Sequence, residues 1–162
     1  MNPLLQDIAQ FLYREARLLD DRDWDNWLLC YHPEVVYWMP AWTDYDQLTT
    51  DPQREISLIY YGCRDGLEDR VYRIKTERSA ASTPEPRTTH MLSNIELLSR
   101  EGDTVTVRYN WHTLSHRYQK SDDFFGHTTL ELQPAGDSFV IRKKVIQLNN
   151  DYINQVIDIY HI

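Results

Sequence analysis

Near the start of the chain, Leu4, Ile8, Phe11, Leu12, Glu15, Leu18 and Leu19 fall at mostly apolar three-and-four spacing. That period belongs to an α-helix laid on a core, and it predicts a first helix to about Leu19. Asn2 followed by Pro3 reads as an N-cap with proline at the first helical position. Asp23 caps a second, short helix with Trp24, Trp27, Leu28 and Tyr31 on its inner side, and His32-Pro33 ends it. The pattern then changes. Val35-Val36-Tyr37-Trp38-Met39 is β-branched and aromatic and stops at Pro40, which predicts a strand. A polar loop over 41–53 holds Trp42 and Tyr45, and residues 56–61 form a second strand placed to pair with the first. Asp65 opens a third helix, with Glu68 completing a capping box. Leu67, Val71 and Ile74 make its apolar stripe, and Asp69 and Arg73 stand at ion-pair spacing.

After a connecting loop over 79–87 the chain becomes a meander. Strands are predicted at about 88–100, 104–118, 123–134 and 138–149. Turns are expected at Glu101-Gly102-Asp103, Lys120-Ser121-Asp122 and Ala135-Gly136-Asp137. Strands this long must twist and coil rather than lie flat. Three helices followed by long antiparallel strands make a two-layer α+β domain, the sheet coiling around the leading helix as a cone. No repeat, linker or low-complexity segment divides residues 1–162, so a single domain is expected.

Composition narrows the function classes. A net charge of −8 argues against nucleic acid, whose phosphates draw on clustered Lys and Arg. No apolar run reaches the roughly 18 residues of a membrane span. The N-terminus lacks the basic and long apolar regions of a signal peptide, so a cytoplasmic protein is expected, with Cys30 and Cys63 as free thiols. Five Trp, eleven Tyr and four Phe make 12% aromatic, many in polar-looking stretches. Such side chains are enriched at subunit contacts and in ligand pockets, and they also fill cores.

Cys30-Tyr31-His32 has the C-x-H spacing of half a Rieske site, but the C-x-x-H half is missing because Gly66 stands three positions after Cys63. His112 and His116 lie four apart within an alternating, strand-like stretch, which separates them by roughly 13 Å, too far for one metal ion. An iron site built from His90, His112 and a distant acid is a weaker combination of the same kind. No P-loop, G-x-S-x-G or dinucleotide fingerprint occurs. The remaining catalytic option is a cofactor-free lyase or isomerase, with His90 and His112 as acid and base inside the cone and Tyr or Asp residues from the helices beside them. Against it stands the reading of both as hydrogen-bonded sheet residues. A pure ligand-binding module is a third class.

Several stretches together resemble the small (beta) subunits of aromatic-ring-hydroxylating dioxygenases. They are residues 11–20, Asp23-Trp24-Asp25 with Trp27, Tyr37-Trp38-Met39-Pro40, residues 55–61, residues 66–71, and Arg87-Thr88 with His90 and Asn94. The closing run 150–162 is similar to the benzoate, toluate and anthranilate branch. The resemblance covers nearly the whole chain. It implies a cystatin-like (nuclear-transport-factor-like) cone, about three N-terminal helices on a strongly curved mixed sheet of about six strands. It further implies a structural role with no cofactor, metal or catalytic residue on this chain. Small subunits would form a trimer under a trimer of large (alpha) subunits, an α3β3 assembly. The large subunit would carry a Rieske [2Fe-2S] cluster and mononuclear Fe(II), and a separate NADH-dependent reductase would supply electrons. The complex would add both atoms of O₂ to an aromatic carboxylate such as benzoate or anthranilate as a cis-diol. On this reading the aromatic surplus marks subunit contacts: Tyr37, Trp38, Trp42, Tyr60, Tyr61, Tyr152 and Tyr160. Salt bridges from Arg70, Arg73 and Arg78 would set orientation.

Overall fold

A computed structural model describes residues 3–76, 85–153 and 155–162. Asn2, Arg78 and most of the loop expected over 79–87 lie outside these residues. The elements run α1 (Pro3–Asp20), α2 (Trp24–Leu28), β1 (Tyr31–Pro40), β2 (Ser57–Tyr61), α3 (Arg64–Thr76), β3 (Arg87–Glu101), β4 (Thr104–Arg117), β5 (Lys120–Ala135) and β6 (Ser138–Leu148). A 3₁₀ turn, Ile159–His161, ends the chain. The expected helices and six strands are all present.

The strands form one sheet in the order β2-β1-β6-β5-β4-β3. β1 runs parallel to β6 and every other neighbour is antiparallel, so the sheet is mixed. Irregularities in register occur at 31–36 and 39–40 in β1, 93–96 and 97–99 in β3, and 131–132 in β5. Each bulge bends its strand and raises the local twist, which lets strands of 14–16 residues curl into an open cone. Val105, Val107, Tyr109 and Trp111 of β4 and Phe124, Leu130 and Leu132 of β5 face the concave side, where they meet Ile8, Phe11, Leu12 and Leu19 of α1. α1 lies against β3 and β6, and α3 against β1.

Three local expectations change. The second helix stops at Leu28, and Tyr31 begins β1 rather than closing the helix. Tyr31 is held opposite Ile141, whose N–H donates to the Cys30 carbonyl at 2.8 Å, while His32-Pro33-Glu34 leaves the ladder as a bulge. On α3, Arg64 opens the helix and binds the Glu68 carboxylate at 3.0 Å, so the ion pair formed is Arg64–Glu68 rather than Asp69–Arg73. Glu68 therefore does not close a capping box with Asp65. The β4–β5 turn is Tyr118-Gln119 with φ of 54° and 62°, not Lys120-Ser121-Asp122, which belongs to β5. Positive φ at both central residues is the type I′ pattern that suits a twisted hairpin.

Candidate functional site

The cone interior is built around Glu15. Its place in the α1 stripe points a carboxylate at the sheet, and alternation along β6 turns Lys144 inward beside Ile146 and Leu148. Glu15 Oε1 accepts from Trp27 Nε1 at 2.9 Å, Tyr31 OH at 2.7 Å and Lys144 Nζ at 3.2 Å. The ammonium also donates to Tyr31 OH at 3.3 Å and lies over the rings of Tyr31 and Tyr37. Burial alone pushes the Glu15 carboxyl up, but the Lys144 charge and the Tyr31 and Trp27 hydrogen bonds outweigh it and hold the group below the usual range. Burial likewise opposes the Lys144 charge, and Glu15 more than restores it. The result is a buried ion pair roofed by aromatic rings inside the cone.

A second polar group sits where α1 ends. Asp20 accepts from His90 Nδ1 at 2.5 Å, from the His90 backbone N–H at 3.0 Å and from Thr88 Oγ1 at 2.9 Å. Burial raises the Asp20 carboxyl, and the bonds and charge of His90 reverse this, leaving it lowered. His90 stands opposite Thr113 on β4, whereas His112 stands opposite Met91. Directly opposed residues share a face, and neighbours along a strand alternate, so the two histidines lie on opposite faces of the sheet. The His90 side chain is 3% exposed. His112 faces outward with its side chain 43% exposed, 3.1 Å from Asp123. It lines an open outer groove of about 640 Å³ with Met91, Arg108, Phe125 and His127. The pairing of His90 with His112 as acid and base is therefore corrected: the partner of His90 is Asp20.

The donors needed for an iron centre do not gather either. Cys30 Sγ is buried 3.9 Å from Arg14, and burial together with the Glu15 charge pushes its thiol up to about 12. His32 instead lies beside Arg142. Among the described residues, no three His, Cys, Asp or Glu side chains come together as metal ligands.

The expected contact residues separate into two sets. Tyr37 is fully buried between Tyr31 and Tyr61, and Tyr160 is 5% exposed against Trp24, so both are core residues and present no surface. Trp38 and Tyr60 are paired on the outer face, half-buried, with Trp38 Nε1 donating to Ser57 Oγ at 2.9 Å. Trp42 is partly exposed and donates to the Leu148 carbonyl at 2.6 Å, and Tyr152 is exposed. Tyr61, Arg70 and Arg73 line a small groove beside Gly66. Arg70 is already engaged by Asp158, its Nε donating at 2.9 Å and its Nη2 forming the second bond. That pair pins the C-terminal turn, in which His161 Nδ1 accepts from the Asp158 N–H at 2.9 Å. Arg78 lies outside the described residues.

Glu15, Lys144, Asp20, Asp158 and His161 were not singled out from the sequence. A charged residue in register with an apolar stripe was the available signal for Glu15 and Lys144.

A family model described as the ring hydroxylating beta subunit matches residues 14–155. The chain is 59% identical to the benzoate 1,2-dioxygenase subunit beta of Acinetobacter baylyi, covering 98% of this chain and 94% of that one. It is 55% identical to the toluate 1,2-dioxygenase subunit beta of Pseudomonas putida, covering 96% of each. Its fold matches the crystal structure of the beta subunit of the benzoate 1,2-dioxygenase from Burkholderia mallei, with a TM-score of 0.82, 52% identity, and 97% and 96% of the two chains covered. With an α+β cone and a likeness that runs nearly from end to end, the chain belongs to the ring-hydroxylating beta-subunit family.

Proposed function

We infer that residues 1–162 form one structural unit, the small non-catalytic subunit of an oxygenase that dihydroxylates an aromatic carboxylate of the benzoate class. The observation that carries this reading is the separation of the candidate catalytic groups: His90 and His112 are divided by the sheet, and a buried Glu15–Lys144 ion pair sits inside the cone. A lyase or isomerase of this fold needs an open, convergent site, so the cofactor-free alternative loses its geometry. The electron-transferring chemistry then belongs to a large subunit carrying a Rieske [2Fe-2S] cluster and mononuclear iron, reduced by a separate NADH-dependent reductase. This chain supplies shape. An α3β3 complex, working in the cytoplasm, places the outer sheet face around Trp38 and Tyr60 against the large subunit.

Assembly with the co-expressed large subunit tests the reading, with stoichiometry read by native mass spectrometry and affinity by dilution. Equal numbers of the two chains are expected. Trp38→Ala should weaken assembly by about 2 kcal/mol or more as a buried aromatic anchor. An unchanged assembly constant removes Trp38 from the contact, and failure to form any mixed complex overturns the proposal.

A further inference from the structure

Five buried polar side-chain atoms have no hydrogen-bond partner among the described residues: Tyr37 OH, His90 Nε2, Trp111 Nε1, Thr113 Oγ1 and His161 Nε2. Native proteins rarely leave such atoms alone, and several in one place point to a shared small partner. Four of the five belong to one patch of the concave face. His90 and Thr113 are directly opposed on β3 and β4, Trp111 is two residues from Thr113 on the same face, and Thr113 is opposed in turn to Phe124 of β5. Opposed side chains start roughly 5 Å apart and same-face neighbours along a strand about 7 Å apart. The ring of His161 rests 4.7 Å from that of Phe124, bringing the C-terminal turn down over the patch. The fifth atom, Tyr37 OH, belongs to the ring beneath Lys144 in the other cluster.

We propose that His90, Trp111, Thr113 and His161 enclose a binding site for a single water molecule that fastens the C-terminal turn to the sheet. The outward bonds of the two histidines set which ring nitrogen of each turns inward. His161 Nδ1 accepts from the Asp158 N–H, so the ring proton is on Nε2, which donates inward. In the tautomer whose Nδ1 proton goes to Asp20, His90 turns its Nε2 lone pair inward. Trp111 Nε1 can only donate, and the Thr113 hydroxyl, able to do either, takes the accepting role in the proposed site. Two donors and two acceptors are what one water molecule satisfies with its two lone pairs and two protons. A cation or an anion would leave half of this set unmatched.

Crystals of the intact chain diffracting to about 1.5 Å test the site. One isolated peak within about 2.7–3.2 Å of all four atoms is expected. A dry space, or a direct bond from His161 Nε2 to His90 Nε2, overturns the proposal. Hydrogen exchange gives a second readout that does not need crystals. Thr113→Val keeps the shape and deletes one acceptor, and it should speed amide exchange over residues 159–162 about tenfold. Thr113→Ser should restore slow exchange, and Thr129→Val on the outer face should leave it unchanged. Equal exchange in wild type and Thr113→Val, both folded, also overturns the fastening role.

Discussion

Lys144 and Glu15 are each about as buried as the leucines around them, with side chains 2% and 4% exposed. Removing one partner of such a pair leaves the other charged and unsolvated. Lys144→Met should therefore lower unfolding stability by about 3–5 kcal/mol in urea titrations. Combined with Glu15→Gln it should cost clearly less than the two single changes added. Simple additivity would show that the two side chains are not coupled. His161 gives the pH dependence. Burial pushes its pKa down to about 4 from 6.5, so the unfolded chain takes up a proton before the folded one does. Its neutral form supports the fold fully above pH 6.5, and that support drains away as pH falls towards 4, by about 3 kcal/mol in all. His161→Asn keeps an acceptor for the Asp158 N–H and should flatten this part of the stability–pH curve. An unchanged slope between pH 6.5 and 4 assigns the acid sensitivity to another group. Little of this was legible beforehand. Period alone put Glu15 on the stripe, but nothing in one strand says that Lys144 faces it across the core.

Among the elements, periodicity located all three helices and all six strands, because amphipathic stripes and alternation act over many residues. Boundaries were less legible where a tertiary contact overrode a local signal. His32-Pro33 looks like a helix stop, yet the parallel pairing of β1 with β6 takes Tyr31 into the sheet and absorbs the proline in a bulge. The Tyr118-Gln119 turn carries neither Gly nor Asn, so no residue type marks its positive φ. Gly126 shows the opposite case, a glycine in mid-strand with a specific demand. A Cβ built there would lie 1.8 Å from the Gln147 carbonyl oxygen, where β5 and β6 draw together under Asn149. Gly126→Ala should cost about 1–3 kcal/mol through this overlap and lower the melting temperature by several degrees. Gly102, with φ of 59° and open space around it, bears only the backbone cost when replaced by Ala. A larger drop for Gly102→Ala than for Gly126→Ala would mean that the β5–β6 approach is not tight.

At the scale of the whole molecule, the α+β cone followed from the order of elements, and family membership from long stretches of matching residues. The contact surface did not follow. Aromatic residues mark interfaces and cores alike, and only the fold separates Trp38, Tyr60 and Tyr152, which reach the surface, from Tyr37 and Tyr160, which do not. A buried ion pair sits inside the cone, and on the proposed reading the chain contributes shape. Separating the two chains of the purified oxygenase and assaying each for iron, sulfide and visible absorbance tests that claim most directly. All iron and colour should travel with the large chain, and this chain should be colourless. Stoichiometric iron on this chain, or turnover of an aromatic carboxylate by this chain alone, would contradict it.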